Sequence, residues 1–235
     1  MTLSRSRLDK FVSDTLAIKR KDVRLILAQK RVKVDDVIVS DCDFIIDKFS
    51  KISIDDKLVQ NNPAYYVMLH KPIGVVCATT DKIHKTVIDL LDFPFKHQLH
   101  IVGRLDLNTS GLVLLTNDSR WSERLMLPES KVSKQYIVTL EKTVEPKAVE
   151  VFAQGIYFEY EDITTKPAKL EIIEENVVKL ELKEGKYHQI KRMFGRFRNK
   201  VLKLHRTSIG NLELDSSLKL GEARELTAQE VIAIF

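Results

Sequence analysis

Residues 103–118 read GRLDLNTSGLVLLTND: a cation, Arg104, and a carboxylate, Asp106, precede the turn-forming Asn108, Thr109, Ser110 and Gly111, and an apolar run follows. A carboxylate on a loop ahead of a buried strand can cap the turn by accepting backbone N–H bonds. It can equally act as a nucleophile, a general base or a stabiliser of positive charge. Taken singly, a loop aspartate is more often a cap, the hydroxyls of Thr109 and Ser110 are turn groups, and Arg104 is a surface ion-pair partner. A second stretch, KEGKYHQIKRMFGRFRNKVLKLHR at 183–206, holds nine Lys or Arg against one Glu, interleaved with Tyr187, His188, Phe194, Phe197 and His205. Cations mixed with rings suit phosphate contacts with base stacking. Met193, Phe194 and Phe197 also fit the core face of a helix that is basic outside, and His188 with Gln189 fits a buried hydrogen-bonded pair. The charge itself is harder to assign to structure, because like charges at this density repel unless an anion offsets them.

The elements that must hold these residues follow from hydrophobic spacing. Upstream of QNNPAYY (60–66), where amides and a proline break the pattern, RLDKFVSDTL and KDVRLILAQKR carry apolar residues at helical spacing, and VKVDDVIVSD and KISIDDKLV alternate as strands do. The expected organisation is an α+β module over 1–60, a linker over 61–64 and a larger domain over 65–235. In the module, seven Lys or Arg against one Asp lie between Lys19 and Lys33, a positive face whose ordinary reading is a solvated helix surface. In the larger domain YYVMLHKPIGVV, LHIVGRLD, GLVLLTND, KQYIVTLE, AKLEIIEENVVKLELKEGKYHQI and LGEARELT read as strands, with helices at SRWSERLML, PKAVEVFAQG and QIKRMFGRF. Helices do not alternate regularly with strands, so the fold class is α+β with a mixed, largely antiparallel sheet and flanking helices.

Composition narrows the chemistry. The chain has 235 residues and a formal net charge of +5, compatible with a polyanionic partner. No run approaches the roughly 18 apolar residues that cross a bilayer, so a cytoplasmic protein without a membrane partner is expected. Cys42 and Cys77 are expected to be reduced. The six histidines and two cysteines show no metal-ligand spacing such as HExxH or paired CxxC, LHKPIGVV and GRLDLNTSG lack the Walker and dinucleotide patterns, and no serine has a GxSxG-like setting.

Three motifs taken together resemble one family. GRLDLNTSGLVLLTND resembles the active-site signature of the bacterial rRNA pseudouridine synthases of the small-subunit type, KQYIVTL their second motif and EGKYHQIKRMF their third. LHKPIGVVCATTD adds to the likeness, ITTKPAKLEII leans it toward the 16S branch, and the amino-terminal module resembles an S4 RNA-binding domain. The resemblance implies a cofactor-free, metal-free isomerase, expected to be monomeric, acting on 16S rRNA or a small-subunit assembly intermediate. It implies Asp106 as the catalytic aspartate, Tyr136 as the tyrosine that stacks on the target base, and Lys191 as the counter-ion that keeps the carboxylate ionised. Arg104 would hold or replace the flipped nucleotide and Leu204 would pack beneath the uracil. Lys186, His188, Gln189 and Arg192 would contact RNA, with Lys19, Arg20, Lys21, Arg24, Lys30 and Arg31 gripping it from the module. Two departures stand out. Gln29-Lys30 and Asp35-Asp36 replace positions where glycine is common, predicting a different turn, and His70 stands where Asn is usual in a loop. The alternatives are a 23S rRNA synthase, which would share every catalytic residue, and a noncatalytic RNA-binding assembly factor, against which Asp106, Tyr136 and Lys191 all speak.

Overall fold

The computed structural model describes residues 5–127 and 132–235. The chain forms two compact units, Met1–Ala64 and Tyr65–Phe235.

In the first unit β1 (Ser6–Arg7) leads into helices α1 (Leu8–Leu16) and α2 (Arg20–Ala28), followed by β2 (Val32–Val34), β3 (Val37–Ile38), β4 (Ile45–Ile46), β5 (Ile52–Ile54) and β6 (Lys57–Gln60). Leu8, Val12, Val23 and Leu27 bury one stripe of each helix against Val32, Val34, Ile52 and Ile54 of the sheet β3-β2-β5-β6. Each such side chain contributes roughly 1.5–3 kcal/mol. The turns between β2 and β3 and between β5 and β6 pass through Asp35-Asp36 and Asp55-Asp56, all four at positive φ (51°, 66°, 50° and 60°). The structure therefore keeps the tight left-handed turn that the missing glycine argued against. Aspartate tolerates this region better than most residues, and the carboxylates are tied down: Asp35 accepts from Lys51 N at 2.9 Å, while Asp36 pairs with Lys51, Asp55 with Arg31 and Asp56 with Lys33. Lys30, at φ 61°, likewise takes the left-handed position after α2.

The second unit continues with β7 (Tyr66–Lys71), a 3-10 turn at Lys96–Gln98, β8 (His100–Val102), β9 (Ser110–Thr116), α3 (Ser119–Met126), β10 (Lys134–Leu140), α4 (Lys147–Gln154), the small pair β11 (Tyr157–Phe158) and β12 (Ile163–Thr164), β13 (Lys169–Glu174), β14 (Val177–Leu182), α5 (Gln189–Gly195), β15 (Val201–Ile209), β16 (Leu212–Glu213), β17 (Ala223–Glu225) and α6 (Ala228–Ala233). Its sheet has the order β13-β14-β10-β15-β9-β7-β17, with β8 on β9 and β16 on β15. The sheet is mixed: among the described residues every strand pairing in it is antiparallel but one, the parallel contact of β15 with β9.

Two features of the sheet position the site. Strand β9 is buried on both faces, Val113 and Leu115 entering one core with Val67 and Leu69, and Leu112 and Leu114 entering another with Met68 and Trp121. That explains its continuous apolar run. Secondly, β9 shares one edge between two partners: β15 meets it only at Ser110 and Gly111, and β8 takes Leu114 to Thr116. The sheet therefore divides, and among the described residues the first half of β15, residues 201–204, is paired with β10 alone. Gly111 permits the junction. At φ +113°, a Cβ there would lie 2.2 Å from the backbone oxygen of Arg206.

Candidate active site

The loop from Gly103 to Leu112 runs into β9 across this division, and two buried cations hold it. Lys71, at the end of β7 and fully buried, donates to the carbonyls of Pro72 (3.0 Å), Asp106 (3.1 Å) and Thr109 (2.7 Å). Burial pushes its pKa down, and the nearby Cys77 and Asp106 push it back up. Arg206 of β15, 2 % exposed, donates from Nε to Leu112 O at 2.8 Å and from Nη2 to Gly103 O at 2.7 Å, closing the loop at both ends. Buried charges of this kind persist only when their donors are satisfied, and here backbone oxygens do so. Leu105 N donates to the Cys77 sulfur at 3.3 Å, and Thr109 N to Asp106 O at 3.1 Å. Cys77 is a free thiol whose pKa burial raises. With the backbone fixed at these points, the Asp106 side chain projects into a cleft of about 110 Å³.

Separate segments supply the walls of that cleft. Arg104 and Asp106 come from the loop, Tyr136 from β10, Lys186 and His188 from the turn before α5, Lys191 from α5 and Leu204 from the half-paired part of β15. Lys191 Nζ lies 3.6 Å and His188 Nε2 3.4 Å from Asp106 Oδ2. The three side chains are each about one-third exposed, so the carboxylate faces the Lys191 ammonium and the His188 imidazole while open to an incoming group. Tyr136 and Leu204 are 8 % exposed and form the apolar floor. His188 reaches the carboxylate from an unusual backbone: its φ is 49°, at the N-terminus of α5.

Other residues singled out from the sequence are placed differently. Gln189 is 3 % exposed, and its amide holds the preceding turn, accepting from Lys186 N at 2.9 Å and donating to Glu184 at 2.7 Å. Arg192 pairs with Glu161 and lies 3.8 Å over the Phe158 ring, outside the residues that line the cleft. In the first unit Lys19, Arg20, Lys21, Arg24 and Lys30 are exposed on α2 and at its two ends, whereas Arg31 grips Asp55 through Nε and Nη2 at 2.6 and 2.5 Å. His70 belongs to β7 and not to a loop. Its Nδ1 donates to Leu218 O at 2.8 Å and its ring meets His205 edge-on at 5.5 Å. Lys71 and Arg206 were not singled out from the sequence. The available signal was a long cation at an otherwise apolar strand position, which also describes an ordinary strand end.

A broader groove of about 1270 Å³ shares Lys191 and Leu204 with the cleft and follows the unpaired edge of β15. Lys191, Arg198, Lys200 and Lys203 line it with no carboxylate among the described residues, a field that favours a polyanion. Among the described residues no group of three His, Cys, Asp or Glu side chains could hold a metal ion, and no helix is long and apolar enough to cross a membrane.

Comparison with known proteins gives the family. Residues 65–195 match the family model described as RNA pseudouridylate synthase. The chain is 45 % identical over 229 residues to the ribosomal small subunit pseudouridine synthase A of Pseudomonas aeruginosa, covering 97 % of this chain and 100 % of that protein. It is 42 % identical to the protein of the same name from Escherichia coli K12, covering 97 % and 99 %. A crystal structure of a pseudouridylate synthase superposes with a TM-score of 0.71 at 40 % identity, covering 97 % of this chain and 99 % of the other.

Proposed function

The chain belongs to the RNA pseudouridylate synthase family, and from that premise we propose that it isomerises one uridine of 16S rRNA, of the uridine-516 type, to pseudouridine without a cofactor. The observation that carries this reading is the convergence of Asp106, Tyr136, Lys191, Arg104 and Leu204 on one cleft from separate segments. The reaction breaks the bond from N1 to C1′, turns the uracil while it stays bound and joins C5 to C1′; C5 gives up a proton and N1 gains one. The electron-poor C1′ is where a carboxylate acts, and Asp106 is the carboxylate of this cleft. Lys191, 3.6 Å away, faces it as the counter-ion and orients it. Tyr136 stacks on the uracil and Leu204 packs beneath it. Arg104 takes the space or phosphate of the flipped nucleotide, whose extrusion costs roughly a few kcal/mol. Lys186 and His188 stand at the rim for the flanking backbone.

The first unit serves as an S4-like RNA-binding module, with Lys19, Arg20, Lys21, Arg24 and Lys30 as its contacts. The substrate is 16S rRNA free or in an assembly intermediate of the small subunit, and the protein acts as a monomer in the cytoplasm. The test is pseudouridine mapping by carbodiimide treatment and reverse transcription on unmodified 16S and 23S rRNA, free and in partly assembled particles, with Asp106→Asn beside the unaltered protein. One new stop in 16S that vanishes in the variant is the expected result. A stop only in 23S would overturn the branch, and no stop with binding intact would overturn the isomerase reading.

A further inference from the structure

Tyr187 is 77 % exposed, yet its ring is not adrift: it stacks on His188 with centroids 3.9 Å apart and planes 19° from parallel. His188 in turn reaches to 3.4 Å from Asp106 Oδ2. A short pile of rings therefore starts at the candidate carboxylate and ends on a bare aromatic face in water. The turn beneath is held from inside by Gln189 through Lys186 N and Glu184, so the pile is presented rather than loosely attached. The left-handed backbone of His188 is the kind of sparsely populated conformation that persists where surrounding structure imposes it. Lys186 and Lys191 border the same rim of the cleft.

We propose that the outer face of Tyr187 is a nucleobase subsite, which takes the base next to the target uridine when the target leaves its stack and enters the cleft. Its ligand is an unpaired base of single-stranded RNA, bound by stacking on one face. Any of the four bases suits it, because each has a π-face. The inference rests on reading the cleft as a uridine-isomerising site. Flipping strips the neighbouring base of a stacking partner, and Tyr187 replaces that partner one ring beyond His188. The subsite thereby ties the position of the neighbour to the position of Asp106, and substrates whose neighbouring nucleotide is locked in a base pair are poorer.

The test is a titration of a short oligouridylate carrying 2-aminopurine beside a central uridine, which reports stacking by fluorescence quenching and needs no turnover. The full chain, Tyr187→Phe and Tyr187→Ala are compared, each first shown to have an unchanged urea midpoint. The expected result is quenching with the unaltered protein and Tyr187→Phe, with loss of quenching and roughly ten-fold weaker binding for Tyr187→Ala. On the rRNA found by mapping, Tyr187→Ala raises KM by a similar factor and changes kcat less than three-fold. An abasic nucleotide at the neighbouring position reproduces that KM and makes the Ala substitution silent. Quenching and affinity retained in Tyr187→Ala, or failure of Phe to restore them, would overturn the subsite. Quenching by a protein that forms no pseudouridine on any RNA would instead fault the isomerase reading and leave the subsite standing.

Discussion

The ammonium of Lys71 donates to the backbone oxygen of Asp106 at 3.1 Å, so the residue bearing the candidate catalytic carboxylate is anchored through its main chain to a cation that solvent does not reach. The side chain of Asp106 meets a different pair of groups, the His188 imidazole and the Lys191 ammonium, on its open side. Support and chemistry are thus divided between two sets of groups, one buried and bonded to carbonyls, the other about one-third exposed and facing the cleft.

Lys71→Met would leave several inward-facing carbonyls unpartnered. Each such group costs about 1–3 kcal/mol, so urea unfolding is expected to show a loss of about 3 kcal/mol or more, with at least a ten-fold fall in kcat on the mapped rRNA. An unchanged midpoint together with unchanged turnover would show that the loop stands without this cation.

The sheet junction gives a paired prediction on glycines. Gly111→Ala places a Cβ 2.2 Å from the Arg206 oxygen at φ +113°, which no side-chain motion relieves. Stability is expected to drop by more than about 3 kcal/mol, with activity lost alongside. At Gly195, the last residue of α5, a Cβ meets nothing within 4 Å. Gly195→Ala should raise stability by about 0.5–1 kcal/mol through helix propensity, and denaturant midpoints of the two proteins check both signs.

Much of this arrangement was legible in the sequence because its signals are local. The helical spacing of QIKRMFGRF predicts α5, the apolar run of GLVLL predicts β9, and Asp106, Tyr136, Lys191 and Leu204, identified one by one by resemblance, meet in one cleft. Long-range relationships were not legible. The parallel contact of β15 with β9 joins residues 205 and 110, and neither strand carries a mark of the other. Arg206 sits in a run of cations, so its burial could not be told from the exposure of its neighbours. The left-handed Asp35-Asp36 and Asp55-Asp56 turns were hidden for another reason: ion pairs with lysines and an arginine from other strands or a preceding turn compensate for the absent glycine.

Lys191→Met is expected to lower kcat by about 100-fold, the scale seen when one electrostatic stabiliser is removed from a reaction centre. KM is expected to shift far less, because the adjoining groove has other cations, Arg198, Lys200 and Lys203, for a polyanion. Lys191→Arg, which keeps the charge, should recover part of the rate. Single-turnover kinetics on saturating RNA give the comparison, and an unaltered rate in the Met variant would remove Lys191 from the chemistry.

Acid sensitivity should centre on Arg224. It is bonded to Glu230 at 2.7 Å and to Asp215 at 2.6 Å, and its own pKa is raised, first by Glu230. Asp215 is held at about 2, mainly by Ser217 and then by Arg224, and Glu230 at about 2, mainly by Arg224. Carboxylates with depressed pKa values stabilise the fold above the ordinary carboxylate range and lose that contribution as pH falls toward their folded values. The unaltered protein should therefore be more stable than Arg224→Met at pH 7, with the gap closing between about pH 4.5 and pH 2. Thermal unfolding across that window reads it, and a gap independent of pH would point to packing instead.

The half-paired β15 has a consequence for how the protein behaves in company with itself. A strand edge without a neighbour is a template on which another chain can add, and a break inside a sheet creates such an edge at its centre. Here Lys200 and Lys203, both exposed, flank the apolar Val201 and Leu202 along that edge. The same lysines that make the groove attractive to a polyanion are the charges that discourage a second copy from docking strand to strand. Neutralising them is therefore expected to lower solubility along with affinity for a polyanion, so that one row of charges would serve two ends.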